Sequence, residues 1–195
     1  MANDIDRSRT LKLLGSMYLC RPSREAVSAW TSLLDDGGSG FLKDIKYALE
    51  GIDTASAGVL EDLLWDYTRL FIGPYRLPCP PWESVYTSQN KLMMQDAADE
   101  ARRYYADFGL TIDDPAVMPD HIGAELSFLS LVYERSGEAN GKRSDCVRIG
   151  EAFVHDHLLR WVPQFTADME RAAETELYKT LAGTTRNALE LFGGK

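Results

Sequence analysis

The chain is short of the residues that most compact catalytic and metal centres require. Only three histidines occur among 195 residues, and Cys20, Cys79 and Cys146 stand far apart with no CxxC pair. That spacing argues against a structural zinc site, and an odd cysteine count cannot pair completely within one chain. Free thiols in a reducing compartment are the expectation. No stretch approaches the ~18 consecutive apolar residues of a membrane-crossing helix, so no stable membrane insertion is expected. No alternating strand pattern is present, and therefore no glycine-rich phosphate loop follows a strand. Basic charge is short as well. The chain has 21 Lys and Arg against 30 Asp and Glu, a formal net charge of −9. A nucleic acid or an anionic bilayer would be repelled, and a cationic partner attracted. The opening stretch MANDIDRSRTLKLLGSMYLC has acidic residues ahead of basic ones and a broken apolar run, a poor secretory signal. A cytoplasmic location follows as an expectation.

What is present is helical periodicity over a 45% hydrophobic chain long enough to bury a core without staples. The spacing predicts a single all-α domain over 1–195, a bundle of about eight to ten helices. Helices are expected over 5–20, from an N-cap at Ser23, over 41–50, 56–72 and 89–108, and then about 120–137, 142–161, 163–173 and 175–192. Gly37-Gly38-Ser39-Gly40 ends the second, and Gly193-Gly194 is expected to fray. Four of the eight prolines fall between 74 and 81. Residues 73–82 and 109–119 are thus the two long irregular segments, where function tends to sit.

The second of these breaks leads into MPDHIGAEL, residues 118–126. Asp120 is a natural N-cap for the helix that follows, and His121 and Glu125, four residues apart, share a face. A metal site built on those two would need a third ligand that nothing nearby supplies. Taken alone, the group is most simply a capping Asp, a solvated His and a surface Glu. His155-Asp156-His157 also invites a metal, but residues two apart on an α-helix point about 200° apart. The plain reading there is polar residues on a mostly exposed helix. Trp65, Tyr67, Leu70 and Phe71 are most simply core. With Trp82 and Tyr86 beyond them, aromatic density peaks at the proline segment, where a groove for an apolar peptide is conceivable.

Together, YTRLF followed by GP, then PPWESVY, then PDHIGAEL on an all-helical chain of this length resemble the TorD/DmsD family of maturation chaperones for molybdoenzymes. The resemblance implies an all-α fold and no catalytic activity; no cofactor or metal is expected from the residues, and whether a nucleotide or pterin binds stays open. The resemblance also implies two partners: the twin-arginine signal peptide of a molybdenum oxidoreductase, and that enzyme's catalytic subunit, held back from export until its cofactor is loaded. Carried over by position, the peptide-binding residues would be Tyr67, Leu70 and Phe71, then Pro81, Trp82 and Tyr86, then Asp120, His121 and Glu125. Where many relatives carry an acidic residue just before Pro-Asp-His, this chain has Val117-Met118, closer to the nitrate-reductase chaperone branch.

The chemistry fits that implication. Two adjacent arginines ahead of an apolar segment call for carboxylates beside an apolar groove. Asp120 is expected to accept charge-assisted hydrogen bonds from them, and the aromatics to cover the apolar part. Burying ~300 Å² of such a segment is worth about 7 kcal/mol gross. His121 is expected to donate to a carbonyl of the 109–119 segment and fix it against the helix. Two other readings stay open: an HD-like metal phosphohydrolase using His121, His155 and Asp156, and a helical scaffold that dimerises through the same apolar surface. The 109–119 segment would be a natural hinge for a swapped homodimer.

Overall fold

The structure, a computed structural model, describes residues 4–35, 42–74, 76–137 and 143–192. The Gly-rich break at 37–40 and the Gly193-Gly194 end lie outside those residues. Among the described residues the chain forms ten α-helices, a π-helical turn and no strand, as periodicity alone indicated. The helices are α1 Asp4–Leu19, α2 Arg24–Asp35, α3 Lys43–Glu50, α4 Ala57–Phe71, α5 Glu83–Thr87, α6 Asp96–Asp107, α7 Ile122–Ser136, α8 Arg143–Phe153, α9 Leu159–Ala172 and α10 Glu176–Phe192.

The centre of the bundle is the crossing of α1 and α7. Leu11, Leu14 and Met17 of α1 and Ile122, Leu126, Leu129 and Val132 of α7 are completely buried. Each such side chain contributes roughly 1.5–3 kcal/mol by leaving water. The two backbones touch at Gly15 and Gly123. A Cβ on Gly123 would stand 2.5 Å from Leu19 Cγ and 3.0 Å from the Gly15 carbonyl oxygen. Gly123 of the PDHIGAEL stretch is therefore a packing residue that sets the depth of the crossing. On the other side of the core α9 lies along α10, and α10 packs on α3.

Capping follows the sequence at α2, where Ser23 Oγ accepts from the Ala26 N–H at 3.1 Å. Elsewhere the ladder departs from expectation. The helix expected over 89–108 starts only at Asp96, because residues 88–95 run irregularly, with Lys91 and Met94 in the left-handed region at φ 52° and 58°. The five residues after the proline corner instead form the short α5. Two helices were expected to meet near Pro163, yet α9 runs through it. The interruption comes earlier, as the π turn Val154–Leu158. That wider turn disturbs the hydrogen-bond ladder just before the residue that has no N–H to offer it.

Candidate peptide-binding site

The two motif regions meet. Pro81-Trp82-Glu83 lies antiparallel to Asp120-His121-Ile122, as an isolated bridge between Trp82 and His121. The Glu83 N–H donates to the Asp120 carbonyl and the Ile122 N–H to the Pro81 carbonyl, both at 2.9 Å. The Trp82 and His121 rings meet edge to face, 6.1 Å apart. Proline accounts for the shape. With φ fixed and three of four consecutive N–H groups missing, Pro78-Cys79-Pro80-Pro81 cannot join a helix and is left extended beside the start of α7.

Beneath this bridge the polar side chains are spent on one another. Asp120 does not cap its own helix. Its carboxylate Oδ2 accepts from the Ser84 N–H at 3.0 Å and from the Ser84 hydroxyl at 2.5 Å, which caps α5. Ser84 Oγ in turn accepts from the Gln95 N–H at 3.2 Å and so reaches the start of α6. The N-cap of α7 is His121, whose Nδ1 accepts from the Gly123 N–H at 3.0 Å. That nitrogen must be unprotonated to accept, and burial holds the imidazole down at about 4, well below its usual value near 6.5. The His121 ring is thus used for the cap, and the bond expected to the 109–119 segment comes from its backbone N–H, which donates to the Met118 carbonyl at 3.1 Å. That segment is held also by Tyr105, whose hydroxyl donates to the Pro119 carbonyl at 2.6 Å.

Glu125 is fully buried on α7, and Trp161 Nε1–H donates to its Oε2 at 3.3 Å. Burial, followed by the charges of Glu83 and Asp120, pushes its carboxyl well above the ordinary range. Glu83 is equally buried and shares a 2.6 Å hydrogen bond with His157 Nδ1. Glu83 and His157 were not singled out from sequence. The π turn turns His157 inward, 1% exposed, while its neighbours His155 and Asp156 stay exposed. The reading of His155-Asp156-His157 as polar residues on a mostly exposed helix therefore holds for His155 and Asp156 and is corrected for His157. His121, His155 and Asp156 do not assemble as a ligand set; among the described residues the group with metal-ligand spacing is Glu83, Glu125 and His157.

The first motif lies in the core. Tyr67, Leu70 and Phe71 are buried; the Tyr67 hydroxyl donates to the Tyr18 carbonyl at 3.0 Å, and its ring meets Phe71 edge to face. Trp65, expected in the core, is 63% exposed on the outer face of α4. The motif connects to the corner through Cys79, whose thiol donates to the Leu70 carbonyl at 3.7 Å. Burial raises that thiol to about 12, so it stays a thiol. Tyr18 and Phe165 continue the aromatic contacts from Phe71 to Tyr86, which also packs on Trp161.

Above this scaffold a groove of about 960 Å³ opens along the corner. Pro78, Pro80, Trp82, Val85 and Tyr86 of the corner form its wall and Leu92 and Met93 of segment 88–95 its lip; Gln164 and Asp168 of α9 and the basic side chains Arg76 and Lys91 also line it. Of the nine residues expected to bind peptide, Trp82 and Tyr86 line this groove. Pro81, Tyr67, Leu70, Phe71, Asp120 and Glu125 are buried behind it, and His121 is half-buried at its bridge.

A family model described as nitrate reductase delta subunit matches residues 31–167. The chain belongs to that family. It is 27% identical over 192 residues to the Tat proofreading chaperone DmsD of Salmonella typhi, covering 94% of this chain and 87% of that protein. It is likewise 27% identical over 124 residues to the chaperone protein TorD of Vibrio parahaemolyticus, covering 62% and 58%. A crystal structure of a redox enzyme maturation protein from Archaeoglobus fulgidus superposes with a TM-score of 0.67 at 26% identity, over 94% of this chain and 93% of that one. Sequence and fold are thus those of a maturation chaperone and not of a catalyst.

Proposed function

We propose that this chain captures the twin-arginine signal peptide of a molybdoenzyme catalytic subunit in the groove along the proline corner, and so assists cofactor insertion before export. One observation carries the placement: a rigid apolar wall, Pro78, Pro80, Trp82 and Tyr86, faces an adaptable lip, Leu92 and Met93, across a space the size of a peptide segment. Methionine and leucine on a segment outside regular helix can repack around different apolar sequences. The prolines keep the wall in place beforehand, so little order is lost on binding. Six of the nine motif residues divide by role. Trp82 and Tyr86 touch the client; Asp120, Glu125 and the Tyr67–Phe71 aromatics hold Trp82 in position from behind. Asp168, which lines the groove and is ion-paired with Arg171, is the carboxylate an incoming guanidinium can take over.

Isothermal titration with a client signal peptide tests this. Trp82→Ala is expected to weaken binding at least ~10-fold, the loss of one central aromatic anchor. Asp168→Asn is expected to lower the salt dependence and to reduce discrimination between Arg-Arg and Lys-Lys peptides. Unchanged affinity in Trp82→Ala would remove the groove from consideration. Light scattering in the same samples reads any dimer formed through the 109–119 segment.

A further inference from the structure

We propose that Glu83, Glu125 and His157 form a site for one first-row divalent cation, zinc(II) being the probe of choice, which ties the proline corner to the centre of the bundle. The three come from three elements: the start of α5, the first turns of α7, and the π turn. One donor atom from each lies within 4.8 Å of the others, and the three residues are 0%, 0% and 1% exposed.

The decisive feature is what the two carboxylates lack. Glu83 Oε1 and Glu125 Oε1 are both buried without a hydrogen-bond partner. Two neighbouring carboxylates in a dry core need a positive species between them, either a shared proton or a cation. Apart from His157 itself, the nearest cationic side chain, Arg160, is half-exposed and stands 3.7 Å from Glu83 Oε1 only. A divalent ion would balance the two carboxylates and leave a buried group of no net charge. Two oxygen donors and one imidazole suit zinc, manganese or iron better than magnesium, which prefers oxygen and keeps its water.

The surroundings are arranged as metal ligands usually are. Trp161 orients Glu125, Phe153 stacks on the His157 ring at 4.6 Å, and Tyr104 meets it edge-on at 5.3 Å. There is also a way in. A cavity of about 590 Å³ reaches His157, with Glu100, Asp107 and Asp156 alongside Arg103 and Arg160 among its lining residues. With only protein side chains positioned around it and no role in catalysis, the ion would act as a brace. It would fix Glu83, next to Trp82, and with it the wall of the groove.

The test uses the full chain, stripped with chelator and then titrated with zinc, with magnesium as control. Wild type is expected to bind one zinc and gain about 5–10 °C in Tm at free zinc 100-fold above Kd. Cobalt(II) in place of zinc should give visible d–d absorption. Glu125→Gln keeps the shape of a protonated carboxyl and should stay folded, yet lose zinc affinity on the order of 100-fold, as should His157→Gln. His155→Ala, on the exposed face of the same turn, should bind as wild type. Wild type that takes up no zinc would mean a shared proton occupies the pair, and the proposal fails. It fails equally if zinc binding survives in Glu125→Gln and His157→Gln but is lost in His155→Ala.

Discussion

Replacing Asp120 separates a residue that touches the client from one that holds the site together. Its Oδ2 accepts two hydrogen bonds from Ser84, both buried, and one of them is the cap of α5. Hydrogen bonds to a charged acceptor are worth about 1.5–3 kcal/mol each. Asp120→Ala removes both and strands the Ser84 N–H and hydroxyl in a dry site. The expected loss is about 3–5 kcal/mol, and for Asp120→Asn, which keeps one acceptor in place, about 1–2 kcal/mol. With a urea m-value of about 2 kcal/mol/M for a chain of this size, the alanine variant should unfold roughly 2 M urea earlier.

A double-mutant cycle with Ser84→Ala assigns the effect. The coupling should be about 1.5–3 kcal/mol, since the two side chains share the shortest bond in this group. Stability lost in Asp120→Ala should come with a looser lip, because Ser84 also accepts from the Gln95 N–H. Measured in conditions where the variant remains folded, peptide affinity should fall far less than in Trp82→Ala. A midpoint within about 1 kcal/mol of wild type, or a coupling energy near zero, would refute the capping role. A loss of peptide affinity with intact stability would return Asp120 to direct contact with the client's arginines.

His121 should give the fold an acid-side weakness. Its pKa lies near 4 folded against about 6.5 unfolded, so the unfolded chain binds more protons between those values. Its contribution is complete above pH 6.5 and is lost as pH falls toward 4, by about 1–2 kcal/mol after allowing for partial exposure. His121→Asn, another good N-cap, should flatten that slope in urea titrations from pH 7 to 4. Glu125 has the opposite sign: its raised pKa stabilises at low pH and that stabilisation declines as pH rises above the unfolded value near 4.5. Glu125→Gln should therefore match or exceed wild-type stability in chelator at pH 8. Gly123→Ala forces a Cβ to within 2.5 Å of Leu19 Cγ and should cost about 1–3 kcal/mol in thermal unfolding.

The helical class, the two irregular segments and the Ser23 cap were legible because each rests on local pattern: period 3.6, proline density, and an oxygen three residues ahead of an N–H. The direction of buried polar groups was not. Asp120 looked like the cap of its own helix, since proximity in sequence favours α7, but its carboxylate went to α5, 36 residues away. The proline corner brings Ser84 there, and no local rule encodes that meeting. His157 was hidden by the π turn, which changes the angle between successive side chains and cannot be read from His-Asp-His. Gly123 could have been found: a glycine inside a helical motif marks either a cost or a close contact.

The motif residues resembling a peptide-binding family therefore do not form one contact surface. Asp120 is completely buried, its Oδ2 held by Ser84 and its Oδ1 shut away from solvent, so a guanidinium could reach it only by opening the corner that positions α5 and Trp82. A half-buried Trp82 on a proline-locked wall gives up nothing when a client segment covers it. Recognition by a stiff apolar wall, with arginine read at the groove edge, makes both requirements compatible. It also explains why the polar cluster sits behind Trp82: a wall that must stay open in water without its client needs bracing from the dry side. The bridge from Trp82 to His121, the Asp120–Ser84–Gln95 chain and the Glu83–Glu125–His157 group all lead to that same wall.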